Sequence, residues 1–145
     1  MEQRAQPELA GIRRRLAALV YEALLLFAIL FISGYLFFAL AGRTPTGLLR
    51  WLFYIYATCI CGAYLTYCWV RSGQTLAQKT WGLRVTAIDG SLLPWSRAAL
   101  RFLLALISIC SGIGLLWAVF DPERQFLHDR LSGSRIVLAK PRIRA

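Results

Sequence analysis

Leu16–Ala41, LAALVYEALLLFAILFISGYLFFALA, decides how this chain is read. Over these 26 residues there is one charged side chain, Glu22, and the run follows directly on Arg13-Arg14-Arg15. A bilayer core of about 30 Å takes about 20 apolar residues in a helix, so the run is long enough to span with some tilt. Two further apolar runs follow: Trp51 to Val70 has no charge, and Ala98 to Phe120 has only Arg101. With hydrophobic residues at 58% of 145, little remains for a separate soluble domain. The expected fold is therefore an all-α membrane protein in one domain, 1–145. It has three transmembrane helices at about 16–41, 51–70 and 98–120, a cytoplasmic loop 71–97 and a cytoplasmic tail 121–145.

The first run is not read as a secretory signal, although Ala39-Leu40-Ala41 has the small-x-small pattern of a cleavage site. A signal's apolar region is about 7–15 residues, and this one is longer and interrupted by Glu22. The net charge of +10 does not point to nucleic acid, because the basic residues lie just outside the apolar runs, where the positive-inside bias places them. Cys59, Cys61, Cys68 and Cys110 all lie in apolar runs, with no C-x-x-C pair and no nearby histidine. They are expected to be buried reduced thiols, and neither a metal site nor a cofactor is expected.

Orientation follows from the flanking charges. The N-terminal segment carries Arg4, Arg13, Arg14 and Arg15, and the first loop Arg43 and Arg50. The second loop carries Arg71, Lys79, Arg84 and Arg97; the tail has Arg124, Arg130, Arg135, Lys140, Arg142 and Arg144. The N-terminus and second loop should face the cytoplasm of a cell (inner) membrane, with the Arg43–Arg50 loop outside. Three plain spans would then leave the most basic segment outside. Ser111-Gly112-Ile113-Gly114, inside the third run, offers a way out. A glycine break at membrane depth is tolerated where protein covers the freed backbone, so a re-entrant or short fourth element with a cytoplasmic tail is expected.

The polar stretches have structure of their own. Thr75 is placed to cap a short amphipathic helix containing Leu76, Lys79, Thr80 and Trp81, suited to the membrane interface. Leu83 to Ile88 reads as a strand, followed by Asp89-Gly90, a strong signal for a small cytoplasmic β-hairpin. Asp121-Pro122-Glu123 looks like an N-cap, a first-turn proline and a first-turn acid opening a helix to about Leu131. Ser134 to Ala139 is β-prone, and its pairing with Leu83–Ile88 would put the tail and second loop on one side.

Chemistry would lie with the intramembrane charges. Arg15 and Glu22 are seven apart, two helical turns and one face, so Glu22 is expected to pair with Arg15 as a strut or to serve as a titrating site. Arg101, one turn past Arg97, reads as a cytoplasmic anchor whose stem snorkels to the interface. Thr58, Gly62 and Thr66 form a small-x-x-x-small seam for a neighbouring helix. Trp51, Tyr54, Tyr56, Tyr64, Tyr67 and Trp69 read as interfacial aromatics. His128-Asp129 has no nucleophile tied to it by spacing, and the chain is not expected to be an enzyme.

One resemblance is specific. Arg14-Arg15-Leu16-Ala17-Ala18 with an acid at 22, Gly73-Gln74-Thr75-Leu76-Ala77-Gln78-Lys79, Gly82-Leu83-Arg84-Val85, Asp121-Pro122-Glu123-Arg124-Gln125 and Leu127-His128-Asp129-Arg130-Leu131 resemble the RDD family of small membrane proteins. The likeness runs from about Gly11 to Val137. The family is named for one arginine and two aspartates. The resemblance assigns the arginine to Arg15, with Arg14 as the alternative, and the first aspartate to Glu22, where this chain has the longer acid. The second aspartate falls on Asp129 or, as the alternative, Asp121.

The resemblance implies little about activity: transport of unknown ligands is suggested for the family, and cation/proton antiport for some members. Two classes of function follow for this chain. One is a structural or accessory membrane module that contacts the lipid bilayer, anionic headgroups through its Lys/Arg flanks, and a second copy or another membrane protein. The other is an oligomeric cation/proton antiporter or small-solute transporter with Glu22 as the titrating site.

Overall fold

The computed structural model describes residues 8–42, 46–123 and 125–139, apart from the side chain of residue 115. The charges counted at Arg4, Arg43, Arg124, Lys140, Arg142 and Arg144 lie outside the described residues.

Two long helices carry most of the apolar sequence, α1 (Ile12–Ala41) and α2 (Leu48–Arg71). Both are long and apolar enough to cross a membrane. At 1.5 Å per residue they are about 45 and 36 Å long. Their apolar side chains point outward: Phe27, Phe31, Ile32 and Tyr35 on α1 and Trp51 and Ile55 on α2 are exposed. A soluble monomer does not present so extensive an apolar surface to water, whereas acyl chains cover it without cost. The two helices meet through tilted aromatic rings at the end remote from the start of α1, with Phe38 and Phe53 centred 4.8 Å apart.

The third apolar run is not one helix. It divides into α4 (Trp95–Cys110) and α5 (Ile113–Phe120), numbered after the short α3 (Leu76–Thr80), and the 98–120 helix is corrected accordingly. Gly112 adopts φ +69°, a left-handed conformation that ends α4, and Ser111 Oγ closes the turn by donating to the Ser108 carbonyl at 3.1 Å. A Cβ on Gly114 would collide with the Ser108 hydroxyl and stand 2.7 Å from Ser108 Cβ. The start of α5 is thus folded tightly onto the end of α4. Downstream, α6 (Leu127–Leu131) packs back against α4. Asp121 does not open this helix as expected, since α6 begins six residues later. Its carboxylate instead accepts from the Glu123 and Gln125 amides at 3.1 and 3.0 Å, holding the α5–α6 turn.

At the end where α1 begins, β1 (Leu83–Ala87) and β2 (Ser134–Leu138) form an antiparallel pair, Leu83 opposite Leu138 and Ala87 opposite Ser134. This is the expected long-range pairing. The expected β-hairpin is corrected. Asp89-Gly90 does make a turn, with Ala87 N donating to the Ser91 carbonyl at 2.9 Å and Asp89 Oδ1 accepting from Ser91 N and Oγ. No strand follows it, because Leu93 turns into the core and Pro94 leads into α4. The chain ahead of α1 joins the sheet as well: Leu9 bridges Val137, and Ala10 N donates to the Ile136 carbonyl at 3.2 Å.

The core lies between this sheet and the helix bases, where Leu83, Val85 and Ile136 meet Leu65, Trp69, Leu93, Ala98 and Phe126. Gly62 lets α4 approach α2, since a Cβ there would stand 2.8 Å from the Phe102 ring; Thr66 is buried on the same seam, but Thr58 is exposed beyond its reach. The buried-thiol expectation is corrected too: Cys59 and Cys110 are exposed and Cys61 and Cys68 half-buried, all of them free. In a lipid-facing helix an apolar position need not be an inner one.

Candidate functional site

Arg101 is the centre of the site, and the expectation that it snorkels outward is corrected: it is 3% exposed. It donates to Asp129 Oδ1 from Nη2 at 2.6 Å and from Nε at 3.0 Å, and from Nε to Ser134 Oγ at 3.2 Å. Its guanidinium lies over Trp69, 4.1 Å from the ring centroid. Trp69 is therefore no interfacial aromatic but the floor of a buried cation site. Asp129 is 0% exposed, and α6 holds it where α4 and β2 converge. The pair thus ties a bundle helix to the helix and strand that follow the α4–α5 turn.

His128 is buried beside it, Nε2 3.7 Å from Asp129 Oδ1, with its ring stacked on Phe126. Burial pushes the imidazole pKa down from 6.5; Asp129 opposes this and Arg101 reinforces it. A depressed histidine pKa means the unfolded chain binds the proton more tightly. Stability is then full above pH about 6.5 and declines as pH falls from there toward the folded-state pKa. Unfolding midpoints should drop on acidification below pH 6.5 in wild type, and His128→Gln should flatten that drop. An unchanged slope in the variant would assign it to the carboxylates.

Glu22 and Arg15 do not pair as expected. Glu22 Oε2 accepts a short hydrogen bond from the Thr75 hydroxyl, whereas Arg15 is buried and its Nη2 donates to the Ile136 carbonyl at 3.4 Å. The seven-residue spacing puts both on one face, but the sheet draws Arg15 toward β2 and α3 offers Glu22 a closer donor. Thr75 has two roles. As the expected N-cap it accepts from Gln78 N at 3.2 Å while Gln78 Oε1 accepts from Thr75 N at 3.0 Å, a complete capping box. Thr75→Val keeps the shape and removes both the cap and the Glu22 donor. We expect a loss of about 1–2 kcal/mol, read as a shift in thermal unfolding in detergent; an unshifted midpoint would mean neither bond matters.

Arg15, Glu22, Gln78, Arg101 and His128 border one cavity of about 360 Å³. Ala18, Leu19, Ala23 and Leu26 of α1 form one wall, and Ala105 and Ile109 of α4 the other, over Leu65 and Trp69 of α2. Four of the seven charged or titratable residues singled out in the sequence thus meet at one place. A fifth, Asp129, stands behind Arg101. Arg14 is exposed, and Asp121 pairs with Arg130 at 3.2 Å in the α5–α6 turn. The sequence reading missed Trp69, Gln78 and Ser134 as site residues and Thr75 as the partner of Glu22. Of these only the Thr75-x-x-Gln78 spacing carries a local signal.

This geometry defines a small helical, membrane-associated protein whose helix bases are joined by a two-stranded sheet and a buried arginine–aspartate pair. The chain belongs to the RDD family, whose model matches residues 9–133. No curated protein and no solved structure matches it.

Proposed function

We propose that this RDD protein is a multi-pass protein of the cell (inner) membrane that acts as a structural or accessory module, neither an enzyme nor by itself a transporter. In this reading residues 8–10, the α2–α4 loop and β2 all face the cytoplasm. α4 and α5 form a re-entrant hairpin, for at about 24 and 12 Å each falls short of a core of about 30 Å. The observation that carries the reading is the gathering of charge at one end. Glu22, Arg15, Arg101 and Asp129 all lie at the sheet end, and between Glu22 and Ala41 α1 has no ionisable group but Tyr35. A single copy therefore offers no charged route to the far side. Exposed Arg13, Arg14, Arg71, Lys79, Arg84 and Arg97 ring the sheet end, suited to anionic headgroups. The exposed faces of α1 and α2 are left to lipid, a second copy or another membrane protein.

Topology is tested in a cysteine-free background. Ser91→Cys and Leu131→Cys, both exposed positions, should label from the cytoplasm, and Leu48→Cys from outside. Labelling of Leu131→Cys from outside would overturn the re-entrant hairpin. Glu22→Gln tests the module against the transporter. It keeps the volume but not the charge, so we expect weaker assembly and no pH-dependent cation flux from either form in proteoliposomes. Robust wild-type sodium–proton exchange, lost in a well-assembled Glu22→Gln, would replace the module with a transporter.

A further inference from the structure

We propose that the cavity between α1 and α4 is a binding site for a neutral, hydroxyl-headed, single-chain amphiphile taken laterally from the membrane, of the monoacylglycerol class. The inference goes beyond the module reading and rests on it in one respect, that α1 and α4 lie at acyl-chain depth.

Size and shape come first. At about 360 Å³ the cavity falls in the range of small-molecule pockets, about 300–1,000 Å³. Its polar side chains lie at the sheet end, while Leu26 is one turn beyond Glu22 and Ile109 two turns beyond Arg101. A ligand would therefore sit head toward the sheet and chain toward the membrane interior, as a lipid of the cytoplasmic leaflet is oriented. Val20 and Ala23 border the cavity and are exposed, so its α1 edge is open and gives a lateral way in from the bilayer.

The head is selected by charge and by hydrogen bonding. Arg101 is matched by Asp129, and Arg15 and Glu22 have opposite signs, so the polar end presents no surplus charge to a carboxylate, phosphate or ammonium. Burial keeps His128 neutral near pH 7. Two buried polar atoms of cavity-lining residues, Trp69 Nε1 and His128 Nδ1, have no hydrogen-bond partner among the described residues, and the Glu22 carboxylate beside them accepts from Thr75 with the Tyr64 hydroxyl as a neighbour. The indole donates, a neutral imidazole nitrogen donates or accepts, and the carboxylate accepts. A hydroxyl both donates and accepts, so a head with two hydroxyls answers such a mixed set where a carboxylate or ammonium answers half of it.

The test uses the full chain in phosphatidylcholine vesicles with a monoacylglycerol carrying a photoreactive diazirine in its chain. Crosslinks mapped by mass spectrometry should concentrate on residues 18–26 and 101–109. Monolauroylglycerol should compete about tenfold better than lauric acid or dodecylamine, which share its chain. Ala23→Phe, at an exposed position where folding tolerates bulk, should reduce the crosslink about tenfold by filling the cavity. Crosslinks spread evenly over the outer faces of α1 and α2, and indifferent to Ala23→Phe, would overturn the site. Equal competition by all three amphiphiles would overturn the head selectivity and leave a non-specific acyl groove. Ser91→Cys and Leu48→Cys labelling of the same preparations reports topology separately, so a wrong orientation and an absent lipid site give different results.

Discussion

Asp129→Asn should destabilise the folded chain by about 3–5 kcal/mol, because it leaves Arg101 buried without a counter-charge. Asparagine can still accept a hydrogen bond from the guanidinium, so the loss isolates charge from shape. Arg101→Met should cost a comparable amount by removing the hydrogen-bonded partner of Asp129 and leaving it with His128, the Ser134 hydroxyl and the charge of Arg15. The combined Arg101→Met, Asp129→Leu variant should recover most of the loss, since an apolar pair of similar volume avoids the desolvation of two charges. Denaturant unfolding in mixed micelles gives all three values and the coupling between the sites. A loss below about 1 kcal/mol for Asp129→Asn would mean that the pair is wetter than its burial implies.

Gly73→Ala should be the most damaging of the small substitutions. Gly73 has φ +70°, where a side chain costs about 1–2 kcal/mol. Its Cβ would also stand 2.7 Å from the Val85 carbonyl oxygen, while Gly73's own carbonyl accepts from Val85 N at 2.7 Å. Leu92 Cδ2 at 2.9 Å is a side-chain atom that can move aside, but the Val85 carbonyl is backbone tied to Gly73 by that hydrogen bond and cannot, so overpacking adds about 1–3 kcal/mol. The sum is about 2–5 kcal/mol. Gly90→Ala is the control: its φ is +83°, but a Cβ there meets open space, so only the backbone cost applies. If the two substitutions cost the same, the close approach of β1 to the end of α2 has no energetic weight.

How much of this was legible differs from element to element. The apolar runs of α1 and α2 were plain because lipid selects composition over contiguous residues, and length alone then fixes the span. The α3 cap was legible in Thr75-x-x-Gln78, a signal contained within four residues. The strands were legible as propensity, and their pairing as an arrangement that would put the tail and the second loop on one side. Local signals also misled. Asp89-Gly90 forms its turn but is followed by Leu93 and Pro94, which the core and α4 claim instead of a second strand. Asp121-Pro122-Glu123 has the chemistry of a helix start, yet Asp121 caps a loop because the helix must begin later to bring Asp129 inward.

The site itself was legible as a set of residues and not as a set of contacts. Arg15, Glu22, Arg101, His128 and Asp129 were all picked out, since a charged or titratable group near an apolar run stands out by its cost. Their partners were not. The nearest acid to Arg101 in its own helix face is none at all, and Asp129 lies 28 residues on, while Glu22 finds Thr75 across 53 residues.

Composition and local pattern place this chain at a membrane, mark its two long helices and its two β-prone segments, and require that a few buried charges be satisfied. Which groups satisfy them is fixed only by the packing of distant segments, and the same packing sets where the shorter helices begin and end. Composition, periodicity and capping are properties of neighbours along the chain, whereas an ion pair depends on a distance of a few ångströms through space. Here that distance is set by two closures, the turn at Ser111–Gly112, which its glycines signal, and the pairing of β1 with β2, whose register the local sequence does not fix. Together they bring α6 back to α4 and make one cavity of residues that the sequence keeps far apart.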